Sequence, residues 1–200
     1  MKALLAKWAL KLNKMRPSKE QYYLNIAKQV AERSTCFRNK GGAIIVKDDV
    51  ILATGYIGAP RKTKDCFERG NCLRDTLKIP HGRNYEICRS VHAEMNCIIN
   101  AARSGTSILD GDLYIYCRDR NGKEIDSFPC FICKKMIINA GLKRVICSTK
   151  EKGIKIFLVK DWIRDWQEGD ILDDKHQYGK DLNFNDNLKD DISDQFFTSS

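Results

Sequence analysis

The sequence lacks any apolar run of about eighteen residues, the length that a membrane-spanning helix requires. We therefore expect no membrane span. A cleavable secretory signal is also missing, because Lys7 interrupts the only short apolar run near the start. No internal repeat is evident, and no stripe interleaves aromatic with basic residues as a single-strand nucleic-acid surface does. These absences favour a cytoplasmic protein and make a nucleic-acid partner the less favoured interpretation without excluding it.

Charge of both signs is present, but it is unevenly distributed. The formal net charge is +9, and residues 169–200 contribute −5 through eight Asp and three Lys, which leaves residues 1–168 near +14. Residues 1–19 contain six Lys or Arg and no acidic residue. A basic body favours anionic partners, whether nucleotide phosphates, nucleic acid or acidic lipid.

Cysteine is the abundant unusual residue, with nine in 200 residues and several in close pairs. An odd number of cysteines in a chain without a secretory signal does not suggest a disulfide framework, because cytoplasmic thiols stay reduced. The clusters are therefore interpreted as metal sites. Cys97, Cys117 and Cys147 lie within apolar helix or strand patterns, and we expect them in the core.

The N-terminal segment MKALLAKWALKLNKM has lysines on one face and large apolar residues at helical spacing on the other. The apolar set is Met1, Leu4, Leu5, Trp8, Leu12 and Met15. This pattern predicts a basic amphipathic helix over residues 1–17, ended by Pro17. Two interpretations stay open: a packing element on this subunit or a neighbour, and a membrane-surface helix. We expect one folded domain over residues 18–168 and an acidic tail over 169–200.

Short strands alternate with helices in the predicted domain, which indicates an α/β sheet with helices on both faces. Ser18 is predicted to begin a helix, with an apolar stripe formed by Tyr22, Ile26 and Val30. The following stretch GGAIIVKDDVILATGY is typical of a β-hairpin.

Residues 57–90 show no periodicity, and so long a loop in a compact domain is usually functional or held by a ligand. Beyond it we expect helices at 92–103 and 130–140, the second ended by Gly141. Strands are predicted at 113–117 and in the stretches RVIC and IKIFLV.

Two of these predicted helices begin with residues that bind metal. His92 stands at one start, and Cys130 and Cys133 at the other, spaced so that two thiolates can hold one ion. A helix N-terminus also favours the thiolate form through its free N–H groups and its dipole. Three such ligands suit zinc and leave a fourth position for water, beside which Glu94 would carry a proton.

The elements His92-Ala93-Glu94 and Pro129-Cys130-Phe131-Ile132-Cys133 match the H-x-E and P-C-x-x-C signature of zinc nucleobase deaminases. With NIAKQVAERSTC, GGAIIVKDDVILATGYIGAP, HAEMNCIINAA and PCFICKKMIINAGLKRVI, the chain resembles the deoxycytidylate (dCMP) deaminase branch of the zinc cytidine deaminase superfamily over roughly residues 20–160. The resemblance implies a three-layer α/β/α sandwich around a five-stranded mixed sheet.

The same resemblance implies hydrolytic deamination of dCMP to dUMP, in which zinc hydroxide attacks cytosine C4. His92, Cys130 and Cys133 would hold the catalytic Zn²⁺. Glu94 would take the water proton, deliver it to N3 and carry a proton to the departing amine.

Some phage members of the family hold a second, structural zinc, and two of its cysteine ligands align with Cys36 and Cys66. The other two ligands of those proteins, a His and a Glu, have no match here, and Ser90 occupies the Glu position. Cys72 and Cys88 lie nearby instead, with His81 in reserve. We hypothesise a four-thiolate second zinc that fixes the 57–90 loop; the alternative is that some of these thiols are simply buried.

The chain departs from the family in the motif GYNGxP, where Ile57 replaces an Asn associated with nucleotide recognition. Ile57, Gly58 and Ala93 are the candidate substrate-binding residues by position in the motifs, although isoleucine cannot form a hydrogen bond. The basic side chains after this motif could contact a phosphate or lie in solvent; they are Arg61, Lys62 and Lys64.

By resemblance we expect a nucleotide substrate and a homo-oligomer, with regulation by deoxynucleoside triphosphates open. Two alternatives to dCMP deamination remain. One is a deaminase of the same mechanism acting on another base, nucleoside or polynucleotide. The other is a non-catalytic zinc-stabilised binding protein, which the carboxylate of Glu94 argues against.

Overall fold

The fold is described here from a computed structural model, in which residues 16–80 and 84–169 are placed. The predicted N-terminal helix, apart from Arg16 and Pro17, and the predicted tail beyond residue 169 lie outside the described residues, so those domain boundaries stay predictions. The helices are α1 (Lys19–Ala31), α2 (Cys66–Arg69), α3 (Leu73–Thr76), α4 (Ala93–Ser104), α5 (Phe131–Asn139) and α6 (Val159–Glu168). The strands are β1 (Asn39–Lys47), β2 (Val50–Tyr56), β3 (Asp112–Asp119), β4 (Arg144–Ser148) and β5 (Ile154–Leu158).

The five strands form one mixed sheet in the order β2-β1-β3-β4-β5. Only β3 and β4 run parallel; the other three pairings are antiparallel. The β1–β2 pair is the predicted hairpin, and its turn residues Asp48 and Asp49 both have positive φ, as a two-residue turn matched to the strand twist requires.

Helices cover both faces of the sheet, which confirms the predicted three-layer α/β/α sandwich. On one face α1 packs on residues of β1, β3 and β4. On the other face α4, α5 and α6 enclose the larger core, in which Ile45, Leu113, Ile137 and Val145 are fully buried. Within the described residues, no helix is long and apolar enough to cross a membrane.

The first helix begins where the sequence predicts, but it presents a different face to the sheet. The side chain of Ser18 accepts a hydrogen bond from the backbone N–H of Gln21, so Ser18 is the N-cap. The predicted stripe is wrong at Tyr22, which is 52% exposed, and the buried residues are Tyr23, Leu24, Ala27 and Ala31. Two alanines on the buried face let α1 approach the sheet closely, and small residues carry little weight in an apolar-stripe argument.

Two further differences concern local structure. The 57–90 loop contains two single-turn helices and a 3₁₀ turn at Tyr85–Ile87. Helix α6 was not expected from the sequence, although Val159 and Trp162 are buried at helical spacing. Gly141, at a φ of 68°, follows α5 in the left-handed conformation predicted for the end of that helix.

Candidate metal centre and its cavity

The starts of α4 and α5 meet at one place on the sheet. His92 is the N-cap residue of α4 and Cys130 that of α5, with Cys133 in the first turn of α5. The entry to α4 is fixed by two backbone hydrogen bonds between Gly58 and Val91. Before α5, the buried hydroxyl of Ser127 lies within hydrogen-bond distance of two carbonyl oxygens, that of Ile115 within β3 and that of Ser148 at the end of β4.

The three predicted ligands come together with distances that fit one ion. The Nδ1 atom of His92 lies 3.5 Å from the sulfur of Cys130 and 3.4 Å from that of Cys133. Tetrahedral zinc, with Zn–S of about 2.3 Å and Zn–N of about 2.0 Å, would place nitrogen and sulfur about 3.5 Å apart. Within the described residues, these three form the one group of three or more metal-binding side chains whose ligand atoms all lie within 4.8 Å. The donor set and its spacing therefore fit zinc.

The electrostatics of the two thiols favour a bound cation. The hydrogen bond from Cys133 lowers the pKa of Cys130, and His92 reinforces this against the effect of burial. The hydrogen bond to Cys130, together with burial, raises the pKa of Cys133. The neighbours of Cys130 therefore favour its thiolate, the form that binds a metal ion.

Glu94 lies beside this ligand group on the first turn of α4. Its side chain is buried and faces the same cavity as His92. Burial raises the pKa of the Glu94 carboxyl, opposed by the charge of His92. A buried carboxyl next to a metal position can accept and return a proton without exchanging it with bulk water.

The ligand group opens into a cavity of about 600 Å³. Ile57 and Ala93, two of the candidate substrate-binding residues, line it. The missing side chain of Gly41 makes room for Ile57, because a Cβ there would lie 2.7 Å from its Cδ1. Gly58 is not among the lining residues, and the structure uses its backbone to hold Val91.

Basic side chains line the same cavity, which gives it a cationic wall. They are Arg38, Arg74, Arg89 and Lys150. The cations singled out from the sequence are elsewhere: neither Arg61, Lys62 nor Lys64 is a lining residue, and Arg61 donates to Asn100 on α4.

The four cysteines expected to bind a second ion all line the cavity, but they are not gathered as tightly as the first group. Cys36, Cys66, Cys72 and Cys88 have free thiols. The charges of Cys66 and Cys88 act on Cys36, where burial raises the pKa of the thiol. His81 lies outside the described residues. Of the cysteines expected in the core, Cys97 and Cys147 are fully buried, whereas Cys117 is half-buried and lies on the cavity wall.

The sequence did not predict two neighbours of the metal ligands, Tyr85, which contacts His92, and Arg74, which contacts Tyr85. The ring of Tyr85 meets the imidazole of His92 edge-on at a centroid distance of 5.0 Å. The guanidinium of Arg74 lies 4.9 Å from the centre of the Tyr85 ring, and Arg74 is itself buried. Neither residue belongs to a periodic pattern. What could have drawn attention to them in the sequence is that an aromatic and a basic residue occur in an unusually long loop.

Fold and site together define a three-layer α/β protein with a Cys₂His metal centre beside a buried carboxylate. The family model for the cytidine and deoxycytidylate deaminase zinc-binding region matches residues 17–149. The chain therefore belongs to the cytidine and deoxycytidylate deaminase zinc-binding family, as the motifs predicted.

The share of a relative's length that this chain covers differs from one relative to another. The deoxycytidylate deaminase of Schizosaccharomyces pombe is 31% identical over 137 residues, which are 68% of this chain and 39% of that protein. The deoxycytidylate deaminase of Mycobacterium phage D29 is 33% identical over 136 residues, 66% of this chain and 94% of that protein. The chain thus spans about two fifths of the length of the yeast relative and nearly all of the phage relative. The crystal structure of dCMP deaminase from cyanophage S-TIM5, in apo form, is 31% identical, covers 65% of this chain and 82% of that one, and superposes with a TM-score of 0.47.

Proposed function

We propose that this chain catalyses the hydrolytic deamination of dCMP to dUMP and ammonia, which supplies dUMP for pyrimidine deoxynucleotide synthesis. The observation that carries the proposal is the meeting of His92, Cys130 and Cys133 beside the buried carboxyl of Glu94. The relatives named above, including the phage protein that the chain covers almost completely, bear the name deoxycytidylate deaminase.

In this mechanism His92, Cys130 and Cys133 would hold the zinc ion. When bound, zinc lowers the pKa of a water molecule to near neutrality and so makes hydroxide available at working pH. Within the described part of the chain three protein ligands converge, so a tetrahedral ion held by them would have one position left for water.

Glu94 then moves the protons of the reaction. Its carboxylate accepts a proton from the attacking water and delivers it to N3 of the cytosine ring as C4 becomes tetrahedral. The hydroxyl group now on C4 gives its proton to the same carboxylate, which passes it to the departing amine. The C4–N bond breaks, ammonia leaves, and the C4 carbonyl of uracil forms. Burial of Glu94 keeps these protons within the site.

The cavity suits a small anionic substrate. A volume of about 600 Å³ is in the range of ligand pockets, and four basic side chains on its wall favour a phosphate-bearing compound. Ile57 places an apolar group where the family motif has an amide, so recognition near residue 57 relies on shape.

A panel of substrates tests the proposal. Zinc-loaded protein is incubated with dCMP, cytidine, cytosine and a short single-stranded oligonucleotide, and loss of the cytosine ultraviolet absorbance is followed. We expect conversion of dCMP at the highest kcat/KM. If another compound is converted preferentially, that compound and not dCMP is the substrate. If none is converted, the result supports the interpretation as a non-catalytic, zinc-stabilised binding protein.

We also propose a second, structural zinc at Cys36, Cys66, Cys72 and Cys88. Four free thiols that line one cavity support it; they come from the segment before β1, from the loop after β2 and from the approach to α4. Ligand atoms must draw closer on binding, as expected where an ion organises a loop. Elemental analysis should give two zinc ions per chain and one in Cys72→Ser; a value near one in the unmodified chain contradicts the second site.

Assembly and compartment complete the proposal. We expect a homo-oligomer in the cytoplasm, where the nine free thiols remain reduced. Light scattering on the purified chain measures the assembly, and a monomeric mass at working concentration would contradict it.

A further inference from the structure

The edge strand β5 carries an uncovered apolar stripe. Ile154, Ile156 and Leu158 alternate along the strand and are 37%, 41% and 38% exposed. Phe157, between them, points to the other face, where it contacts Trp162. Three exposed branched side chains in a row on one face of an edge strand form a surface that proteins usually cover.

The stripe lies on the same face of the sheet as α1. Ile156 is opposite Ile146 in the β4–β5 ladder, and directly opposed residues share a face. Ile146 belongs to the cluster beneath α1, which contains residues of β1, β3 and β4 and none of β5. Within the described residues, α1 therefore leaves the outer part of this face bare.

The space beside α1 has the width of one helix. From β3, which α1 covers, to β5 is two strand spacings, or about 10 Å. Helices pack side by side at about 8–10 Å. A groove of about 230 Å³ lies at one end of this space, where Gln21 and Lys28 of α1 face Gly153, the residue that precedes Ile154.

The segment that precedes α1 fits this space by connection and length. Only Arg16, Pro17 and Ser18 separate residues 1–15 from α1, and connections this short join antiparallel neighbouring helices. As a helix, 15 residues would extend about 22 Å. The stripe from 154 to 158 is about 13 Å long, so one segment can cover it.

The start of α1 lies at the end of the sheet where Leu158 is, which is the end that the preceding segment must leave from. Tyr23 contacts Tyr114 near the start of β3, and Lys28 lies over Tyr116 further along, so α1 runs in the direction of β3 and of the parallel strand β4. Arg144, where β4 starts, is opposite Leu158 in the ladder. A segment leaving this end antiparallel to α1 passes over Leu158 first and Ile154 last. Its apolar face, which includes Leu5, Trp8 and Leu12, has the spacing of a buried helix stripe.

We propose that residues 1–15 dock as a helix on the stripe formed by Ile154, Ile156 and Leu158 of the same chain, beside α1. Its lysines then face solvent and its apolar face completes the outer layer of the sandwich. The proposal identifies the basic N-terminal segment as a structural layer of this subunit rather than a membrane-surface helix, and it is independent of the proposed catalytic activity.

Hydrogen–deuterium exchange of the full-length chain tests this docking. Ile156→Asp changes the stripe, and Val50→Asp is the matched control, an exposed apolar residue on the opposite edge strand β2. We expect amides of residues 4–12 to exchange about tenfold more slowly in the unmodified chain and in Val50→Asp than in Ile156→Asp. Equal exchange in the unmodified chain and Ile156→Asp would overturn the proposal.

A second pair of variants avoids changing the sheet. Leu12→Asp alters the apolar face of the segment and should lose the same protection, whereas Lys7→Asp, on the polar face, should retain it. Protection that disappears on dilution in step with a fall in mass would show docking on a second copy and would overturn docking within the chain. Slow exchange that appears only with anionic lipid vesicles would overturn it in favour of the membrane-surface interpretation.

Discussion

Glu94 is a buried acid in the first turn of α4. We predict that Glu94→Gln binds zinc normally but loses at least about a hundredfold in kcat, because an amide cannot accept and return a proton. Elemental analysis and the ultraviolet assay measure the two properties separately. Glu168→Gln, at an exposed acid that ends α6 and does not line the cavity, is the control and should be fully active. Near-normal turnover of Glu94→Gln would refute the role.

Tyr85 is an aromatic neighbour whose ring meets the His92 ring edge-on. We predict that Tyr85→Ala weakens zinc binding about tenfold, in line with the effect of residues that orient metal ligands from behind. Tyr85→Phe keeps the edge-on ring and should keep the affinity. Competition with a chromophoric chelator measures the constant directly; equal affinity in all three proteins would show that the ring does not orient His92.

At this scale the sequence was sufficient where chemistry restricts a position to very few residue types. His92, Cys130 and Cys133 are recognisable because few other side chains hold zinc. Tyr85 was not recognisable, because its contribution is a ring contact that any loop aromatic could make. Cys117 was expected in the core from its strand pattern, but it lies on the cavity wall. An alternating pattern predicts which face of the sheet a side chain is on, but it does not predict whether a helix or a cavity lies over that face.

Among the elements, β2 and α4 approach each other unusually closely at Gly55. A Cβ on Gly55 would collide with the backbone nitrogen of Cys97 and the carbonyl oxygen of Ala93. We predict that Gly55→Ala destabilises the fold by about 3 kcal/mol and displaces the start of α4. Thermal unfolding measures the first effect and zinc affinity the second. Gly169→Ala, where a Cβ meets nothing within 4 Å, should change neither; equal unfolding temperatures for the two variants would contradict the close contact.

The elements that the sequence predicted are those with strong local signals. The hairpin has two β-branched runs around a turn, and Ser18 and Gly141 are standard helix-end residues. Helix α6 was missed because it follows β5 without a turn, so the strand pattern IKIFLV runs directly into it. The face of α1 was misjudged because its contact surface contains alanines, whose burial depends on how closely helix and sheet approach.

Over the whole molecule, the metal centre joins two helices that are distant in sequence. His92 and Cys130 are 38 residues apart, and one ion would hold the starts of α4 and α5 together. We predict that chelation lowers the unfolding temperature by about 10 °C, since zinc at a thousandfold over its dissociation constant contributes about 4 kcal/mol. Calorimetry with and without chelator measures this.

The variant His92→Ala separates the two proposed ions. It should lose most of the chelator effect, and the remainder would report binding at the four cysteines of the loop. An unfolding temperature that does not respond to chelator in the unmodified chain would contradict zinc at either place.

The layered architecture followed from the alternation of strands and helices, but the strand order did not. Local patterns do not specify that β1 lies between β2 and β3, because that pairing joins segments separated by the entire 57–90 loop and α4. The resemblance to a known family supplied the sheet that periodicity could not.

His92 and Cys130 each occupy an N-cap position, and neither side chain caps its helix. Aspartate or serine at such a position typically improves stability by about 1 kcal/mol. At these two positions, helix stability therefore competes with metal binding. In metal-free protein, Cys130→Asp should raise the free energy of unfolding, but the variant would lack one of the three zinc ligands. Selection for heat resistance alone would therefore favour substitutions that remove the metal centre on which the proposed deamination depends.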